Sequence, residues 1–184
     1  VNATPAELRG MPLVFQRVGA VRKLRESSSR AATRKLAEIP WLFGEIRQPE
    51  SGNYLLIPRV SSENRKYIPI GFISSDMIAS DANLLIPNAT LFEFAVMTSS
   101  VHNAWMRTVA GRLKSDYRYS ASLVYNNFPW PDVETSYHGV SNGISGKRRH
   151  NMASLRDRIE QTAQAILDAR AKYPDSSLAD LYDE

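Results

Sequence analysis

The most informative stretch of the chain is residues 111–131, which read GRLKSDYRYSASLVYNNFPWP. Lys114, Asp116 and Arg118 occupy every second position, and alternate side chains of an extended chain point to the same side. The spacing therefore predicts a row of a donor, an acceptor and a bidentate donor, which suits the reading of base edges in a DNA groove. A solvent-facing edge strand has the same spacing, so the charges alone leave both interpretations open.

A long amphipathic segment precedes this stretch. Thr90 and Glu93 have the spacing of a capping box, and apolar residues follow at helical intervals. Gly111 is a residue type that commonly ends helices. The pattern predicts one helix between Thr90 and Gly111, whose buried side consists of Phe94, Met97, Val101, Ala104, Trp105 and Val109.

Two segments rich in strand-forming residues lie further upstream. Residues 53–60 and 66–73 flank the polar residues 61–65, and this arrangement predicts a hairpin. Pro58 and Pro69 each remove a backbone donor, which favours edge-like or irregular strands. Residues 84–86 predict one more short strand. On the other side of the central stretch, residues 126–130 predict a turn that anchors an aromatic residue in the core.

Both ends of the chain are predicted to be helical. Residues 13–26 have helical periodicity, and Ser29 is placed to cap a second short helix that runs through Glu38 and ends at Pro40. Residues 151–171 predict a C-terminal helix with one apolar side. The predicted fold class is α+β, a small irregular antiparallel sheet packed by helices, with a C-terminal helical extension. We expect three parts: a domain of residues 1–135, a flexible link of residues 136–150 and a helical segment of residues 151–184.

Composition limits the chemistry that the chain can perform. It has 184 residues, a net charge of +4 and no cysteine, which excludes disulfides and cysteine-bound zinc. No carboxylate has metal-ligand spacing beside the three histidines, so we expect no metal site. No apolar run is long enough to span a membrane, and we expect no membrane partner and a cytoplasmic location. Residues 1–50 hold nine Lys/Arg against five Asp/Glu, a balance that attracts phosphates without sequence preference.

Four segments resemble one family and occur in that family's order. They are RKLAEIPWLFGEIRQP at residues 34–49, IPRVSSENRKYIPIGF at residues 57–72, the central GRLKSDYRYS followed by YNNFPWP, and ILDARAKYPDSSLADLYD at residues 166–183. They are similar to the target-recognition domain, and the start of the C-terminal region, of the MmeI-like (type IIL/IIG) DNA adenine methyltransferases and restriction-modification enzymes. Four long strings are a more specific signal than one short motif.

The resemblance implies a DNA target-recognition fragment of an adenine-N6 methyltransferase, with or without a fused restriction endonuclease. The chain itself lacks a glycine-rich methyl-donor loop and an N-P-P-Y-like tetrapeptide. We therefore expect no catalytic residue and no cofactor in the fragment, and S-adenosylmethionine in the parent protein. The implied partners are double-stranded DNA and a methyltransferase domain of the same chain. The alternative is a non-catalytic protein-interaction module that docks other domains or subunits.

The resemblance also implies roles for individual residues. Base recognition falls to the pair Lys114 and Asp116, to Arg118, and to Ala82, which lies beside Arg118 in the family's arrangement. Lys114 suits guanine acceptors and Asp116 suits the cytosine amino donor, so together they fit a G·C or a C·G pair. Further DNA contacts are expected from the polar hairpin tip and the central loop, and phosphate contacts from the basic N-terminal helices. The first set is Arg59, Ser61, Ser62, Asn64, Arg65, Arg112 and Tyr119, and the second is Arg22, Arg30 and Arg34.

Overall fold

The structure is a computed structural model that describes residues 4–133 and 145–183, with the backbone alone for residues 145–154. The chain divides into two compact units, Val1–Ile46 and Arg47–Glu184. The predicted link of residues 136–150 lies largely outside the described residues, and its last six residues belong to a helix.

The first unit is helical, as predicted. It contains α1 (Pro5–Arg9), α2 (Pro12–Glu26), α3 (Ala31–Lys35) and a 3₁₀ turn (Leu36–Glu38). Arg25 holds the end of this unit together, because its guanidinium donates to the carbonyls of Leu36, Ile39 and Leu42 at 2.8, 3.0 and 2.8 Å. Two of these carbonyls, Leu36 O and Ile39 O, also accept from the backbone N–H groups of Ile39 and Leu42. Leu24 on α2 is 72% exposed, so the apolar side of this helix is not a core face.

The prediction that Ser29 caps the second helix is wrong. Arg30 is the N-cap residue of α3 and makes no side-chain capping bond. Ser28 supplies the nearby acceptor instead, since its hydroxyl accepts from the backbone N–H of Arg30 at 3.2 Å. Serine can satisfy a backbone donor from either position, and the sequence alone placed the cap one residue before Arg30.

The second unit is an α+β structure, which confirms the predicted fold class. Within the described residues, its strands form two three-stranded antiparallel sheets with the orders β3-β1-β4 and β2-β6-β5. Their bounds are β1 Asn53–Pro58, β2 Val60–Ser61, β3 Gly71–Ser74, β4 Asn83–Pro87, β5 Gly111–Leu113 and β6 Asp116–Arg118. The helical elements are α4 Leu91–Thr98, α5 Ser100–Val109, a π-helical turn Ala121–Tyr125 and α6 Ser145–Arg170.

The hairpin predicted for residues 53–73 is wrong in the segment that joins its two strands. β1 and β3 pair antiparallel, but the ladder ends at Leu56 and Gly71, and β2 crosses to the second sheet. β1 is also a central strand rather than an edge. Pro58 is tolerated there because Arg59 N–H donates toward β4, at Ala82, and successive backbone groups alternate in direction. The donor that Pro58 lacks would therefore point to the β3 side, where pairing has already ended.

The predicted helix after Thr90 is two helices. The capping box of Thr90 and Glu93 is present, but Ser99 has an extended backbone and caps α5 by accepting from His102 N–H at 3.1 Å. The break shifts the helical phase, so Val101 is exposed while His102 and Asn103 are buried. The helical segment does end next to Gly111, as predicted, since α5 ends at Val109, Ala110 is its C-cap and Gly111 begins β5.

The C-terminal helix is part of the core of the second unit. Ala163 of α6 is buried in the main apolar cluster, together with Leu55, Phe94 and Val124. The Arg170 guanidinium donates to Ile70 O at 2.8 Å, bonds the Tyr182 hydroxyl and lies 5.1 Å from the centre of the Phe94 ring. Helix α6 and the C-terminal segment that follows it, residues 171–183, therefore pack onto the strands as one body.

Candidate DNA interface

The charged central stretch folds into a tight hairpin. β5 and β6 pair with Leu113 opposite Asp116, Arg112 opposite Tyr117 and Gly111 opposite Arg118. Lys114 is the first turn residue and has a φ of 57°, in the left-handed region. The expectation that Lys114, Asp116 and Arg118 form one extended row is therefore wrong for Lys114. Asp116 and Arg118 do share one side of β6, because strand side chains alternate.

The sheet β2-β6-β5 has an outer and an inner face. Residues paired directly across strands point to the same face. Val60 is opposite Arg118, so the outer face consists of Val60, Gly111, Leu113, Asp116 and Arg118. The inner face carries Arg112, Tyr117 and Ser61, of which Ser61 is buried and Tyr117 packs against the core. The inner face fixes the sheet on the body, and the outer face is open.

The three predicted base-reading charges are available to a partner. Among the described residues, the side chains of Lys114, Asp116 and Arg118 make no hydrogen bond or ion pair. Arg112 differs, because its guanidinium donates to Ser115 O at 2.6 Å, lies 3.7 Å from Glu63 and covers the Tyr117 ring at 3.7 Å. Arg112 is thus engaged in holding the hairpin.

Arg59 connects the segment of Ala82 to the end of β6. Its backbone N–H donates to Ala82 O at 2.9 Å, and its carbonyl accepts from Tyr119 N–H at 2.8 Å. Its Nε also donates to Asp81 O at 2.7 Å. The structure therefore brings Ala82 and the residue after Arg118 to the two sides of Arg59.

The predicted hairpin tip is not a projecting tip. Ser61 is buried, and the Ser62 hydroxyl accepts from Asn64 N–H at 3.3 Å. The side chain of Arg65 is only 19% exposed and pairs with Asp183 at 2.5 Å. Asn64 remains exposed. This segment folds back against the C-terminal residues, because β2 pairs with β6 rather than leading into a hairpin turn.

Tyr119 lies in the core, which contradicts its expected exposure. Its hydroxyl is 3.0 Å from Nε2 of the fully buried His102. Burial lowers the pKa of His102 to about 4 and raises the pKa of Tyr119. Phe128 stacks edge-on against His102 with ring centres 4.6 Å apart, so the turn at residues 126–130 anchors an aromatic ring in the core as predicted.

The predicted phosphate contacts belong to the first unit. Arg22 and Arg30 are exposed. Arg34 is exposed too, but its Nη1 donates to Ser28 O and Ser29 O, both at 2.9 Å. Arg25, Arg107 and Arg170 were not singled out from the sequence. Their guanidiniums donate to backbone carbonyls, that of Arg107 to the carbonyls of Arg65 and Lys66. No local pattern distinguishes such an arginine from one that faces solvent.

Within residues 4–133 and 145–183, no group of three or more His, Cys, Asp or Glu side chains is arranged to hold a metal ion. No helix in the same ranges is long and apolar enough to cross a membrane.

The chain is similar to known proteins along nearly its whole length. The family model "MmeI, target recognition domain" matches residues 1–132, and "MmeI, C-terminal domain" matches residues 152–184. DNA methyltransferase A of Bacillus subtilis (strain 168) is 38% identical over 177 residues, which are 96% of this chain and 18% of that protein. A solved structure of the type IIL restriction-modification enzyme MmeI in complex with DNA has 46% identity and a TM-score of 0.80, and the match covers 99% of this chain and 22% of that one.

The chain thus spans about a fifth of the length of these relatives. None of the matches favours the alternative of a protein-interaction module. Both family models agree with the resemblance found in the four sequence segments. The chain belongs to the MmeI target-recognition-domain family and continues into the MmeI C-terminal domain at residues 152–184.

Proposed function

We propose that this chain is the DNA target-recognition part of a site-specific DNA adenine-N6 methyltransferase, with or without a fused restriction endonuclease. The observation that carries the proposal is the open outer face of β2-β6-β5. It presents Asp116 and Arg118, which have no partner among the described residues, and Lys114 stands at the hairpin tip beside them. These charges are therefore free to pair with groups of a bound partner.

The two strands β5 and β6 form a β-ribbon. A β-ribbon fits the DNA major groove, where each base pair presents a distinct set of donors and acceptors. Arg118 has the fork geometry for the O6 and N7 acceptors of guanine. Asp116 accepts from the amino group of cytosine, and Lys114 donates to guanine. Ala82 takes part through its position across Arg59 from the end of β6.

The remaining predicted contact residues differ in whether their side chains are exposed, already bonded within the chain, or buried. Arg22, Arg30 and the exposed Asn64 are available for phosphates or base edges. Arg59, Arg65 and Arg112 already hold carbonyls or carboxylates, so we assign them first to positioning. Ser61 and Tyr119 are buried and are left out of the interface.

The complete protein would supply what this chain lacks. We propose a methyltransferase domain in the same polypeptide, which binds S-adenosylmethionine and acts on DNA in the cytoplasm. The recognition part then determines which adenine is presented, and phosphate contacts fix its register without reading sequence.

The decisive experiment exchanges the charges of the hairpin. In the complete protein, Lys114→Glu combined with Asp116→Arg should change the preferred base at one position and leave the others intact. Each good base contact contributes roughly 1–3 kcal/mol of discrimination, so a single substitution mainly loses activity by leaving one partner unpaired. Sequencing of methylated sites measures the outcome. An unchanged methylated sequence in the double variant would refute this assignment.

A further inference from the structure

The outer face of β2-β6-β5 contains two large apolar side chains that the charge pattern does not explain. Leu113 is 50% exposed and Val60 is 37% exposed. Single exposed apolar residues are common on protein surfaces and need no function. These two are different in their positions, because Leu113 is the direct cross-strand neighbour of Asp116, and Val60 is that of Arg118.

The distances within the sheet place Leu113 beside anything that Asp116 binds. Side chains directly opposite in an antiparallel pair have Cβ atoms roughly 4.5–5.5 Å apart. The same face is also open two residues along β5, since a Cβ added to Gly111 would meet no atom within 4 Å. A flat ligand edge that reaches the Asp116 carboxylate therefore also reaches the methyl groups of Leu113.

The chemistry of a pyrimidine fits this juxtaposition of an acceptor and an apolar group. In the major groove, cytosine presents its amino donor next to C5, and thymine carries a methyl group on C5. A carboxylate accepts a hydrogen bond from the amino group, but a C5 methyl does not strengthen the binding of that carboxylate. An aliphatic side chain beside it gains contact area when that methyl is present.

We propose that Leu113 is a specificity-determining residue that contacts the C5 position of a pyrimidine in the target, and that it favours a C5-methylated pyrimidine over an unmethylated one. Val60 lies on the other side of β6 from Leu113, beside Arg118. This inference rests on the proposed DNA-recognition function. It adds a readout of base methylation that neither Lys114, Asp116 nor Arg118 provides.

The test uses the complete protein and duplexes containing its methylation target. Each pyrimidine of the target is changed only at C5, with deoxyuridine for thymidine and 5-methyldeoxycytidine for deoxycytidine. We expect one position at which the C5 methyl strengthens binding about fourfold, the effect of burying roughly one methyl group. In Leu113→Ala this ratio should fall to about one. Fluorescence anisotropy measures the dissociation constants.

Leu123→Ala is the matched control, because Leu123 is 52% exposed and lies on the π-helical turn rather than on the ribbon. It should keep the fourfold ratio, and circular dichroism verifies that both variants are folded. A wild-type protein with no C5 dependence, or a dependence that survives in Leu113→Ala, overturns the assignment of Leu113 alone. A wild-type protein that does not distinguish its target from a scrambled duplex refutes the proposed function and this inference together.

Discussion

Lys114 combines a predicted recognition role with an unfavourable backbone conformation. Its φ of 57° lies in the left-handed region, which costs roughly 1–2 kcal/mol for a residue with a Cβ. Glycine removes this cost and adds only about 0.5–1 kcal/mol of backbone entropy. Strain of this kind is often found where function requires a particular side chain.

We therefore predict that Lys114→Gly raises the free energy of unfolding by up to about 1 kcal/mol and abolishes discrimination at one base pair. Urea denaturation and sequencing of methylated sites measure the two effects. Asn88→Gly is the control, because Asn88 has a φ of 54° but asparagine tolerates this region. It should gain less stability and keep the base preference. A loss of stability in Lys114→Gly would contradict the strain argument.

His102 makes the stability of the second unit dependent on pH. Burial lowers its pKa to about 4, whereas the unfolded chain titrates near 6.5. The unfolded state therefore binds a proton that the folded state does not, at any pH between these values. The contribution of neutral His102 to the free energy of unfolding is therefore fully present above about pH 6.5, and it declines as the pH falls toward 4.

We predict that the midpoint of thermal unfolding falls between pH 6.5 and 4 more steeply in the wild type than in His102→Gln. Glutamine does not titrate and can keep the hydrogen bond to Tyr119. Differential scanning calorimetry at a series of pH values gives the comparison, with pH 7.5 as the common reference. Parallel curves for the two proteins would show that His102 does not carry this dependence.

At the scale of elements, the C-terminal segment packs closely on strand β3. A Cβ built on Gly71 would lie 2.6 Å from Cδ1 of Leu178. Leu178 must then move, and because only the end of a flexible side chain is displaced, Gly71→Ala should lower the free energy of unfolding by about 1 kcal/mol.

A double-mutant cycle tests this packing. Gly71→Ala combined with Leu178→Ala should cost less than the sum of the single variants, since the truncated side chain no longer meets the added methyl group. Gly111→Ala is the control and should change little, because its Cβ meets no atom within 4 Å. Strict additivity of the cycle would contradict the contact between β3 and the C-terminal segment.

At the scale of the whole molecule, positive charge is concentrated in the first unit. Neutralising Arg22, Arg30 and Arg34 should weaken DNA binding about equally for all sequences, because phosphate contacts carry no base information. Each lost contact should reduce the salt slope by roughly one unit. Arg34→Gln should in addition destabilise the unit, since Arg34 holds the carbonyls of Ser28 and Ser29.

Anisotropy titrations over a salt series measure these slopes on target and scrambled duplexes. Lys172→Gln serves as the control, because Lys172 is an exposed cation of the C-terminal segment. It should leave the slope unchanged. If the arginine variants also leave it unchanged, the basic face of the first unit does not contact DNA.

The sequence by itself determined those features that depend on neighbouring residues. The capping box of Thr90 and Glu93, the helix of residues 12–26 and the short strand β4 follow from local hydrogen bonds and periodicity. The family, and with it the α+β fold, was also readable from four segments of the chain. The alternation of Asp116 and Arg118 survived because both lie within one strand.

Only the tertiary structure decided what depends on contacts between distant segments. The transfer of β2 to the second sheet buried Ser61 and removed the predicted hairpin tip. Lys114 lies in the hairpin turn and is not part of the extended row. Tyr119 packs against His102 and is buried in the core. The same residue types occur in solvent-facing strands, and their roles differ here because long-range pairing, which local pattern does not encode, selects the face that is buried.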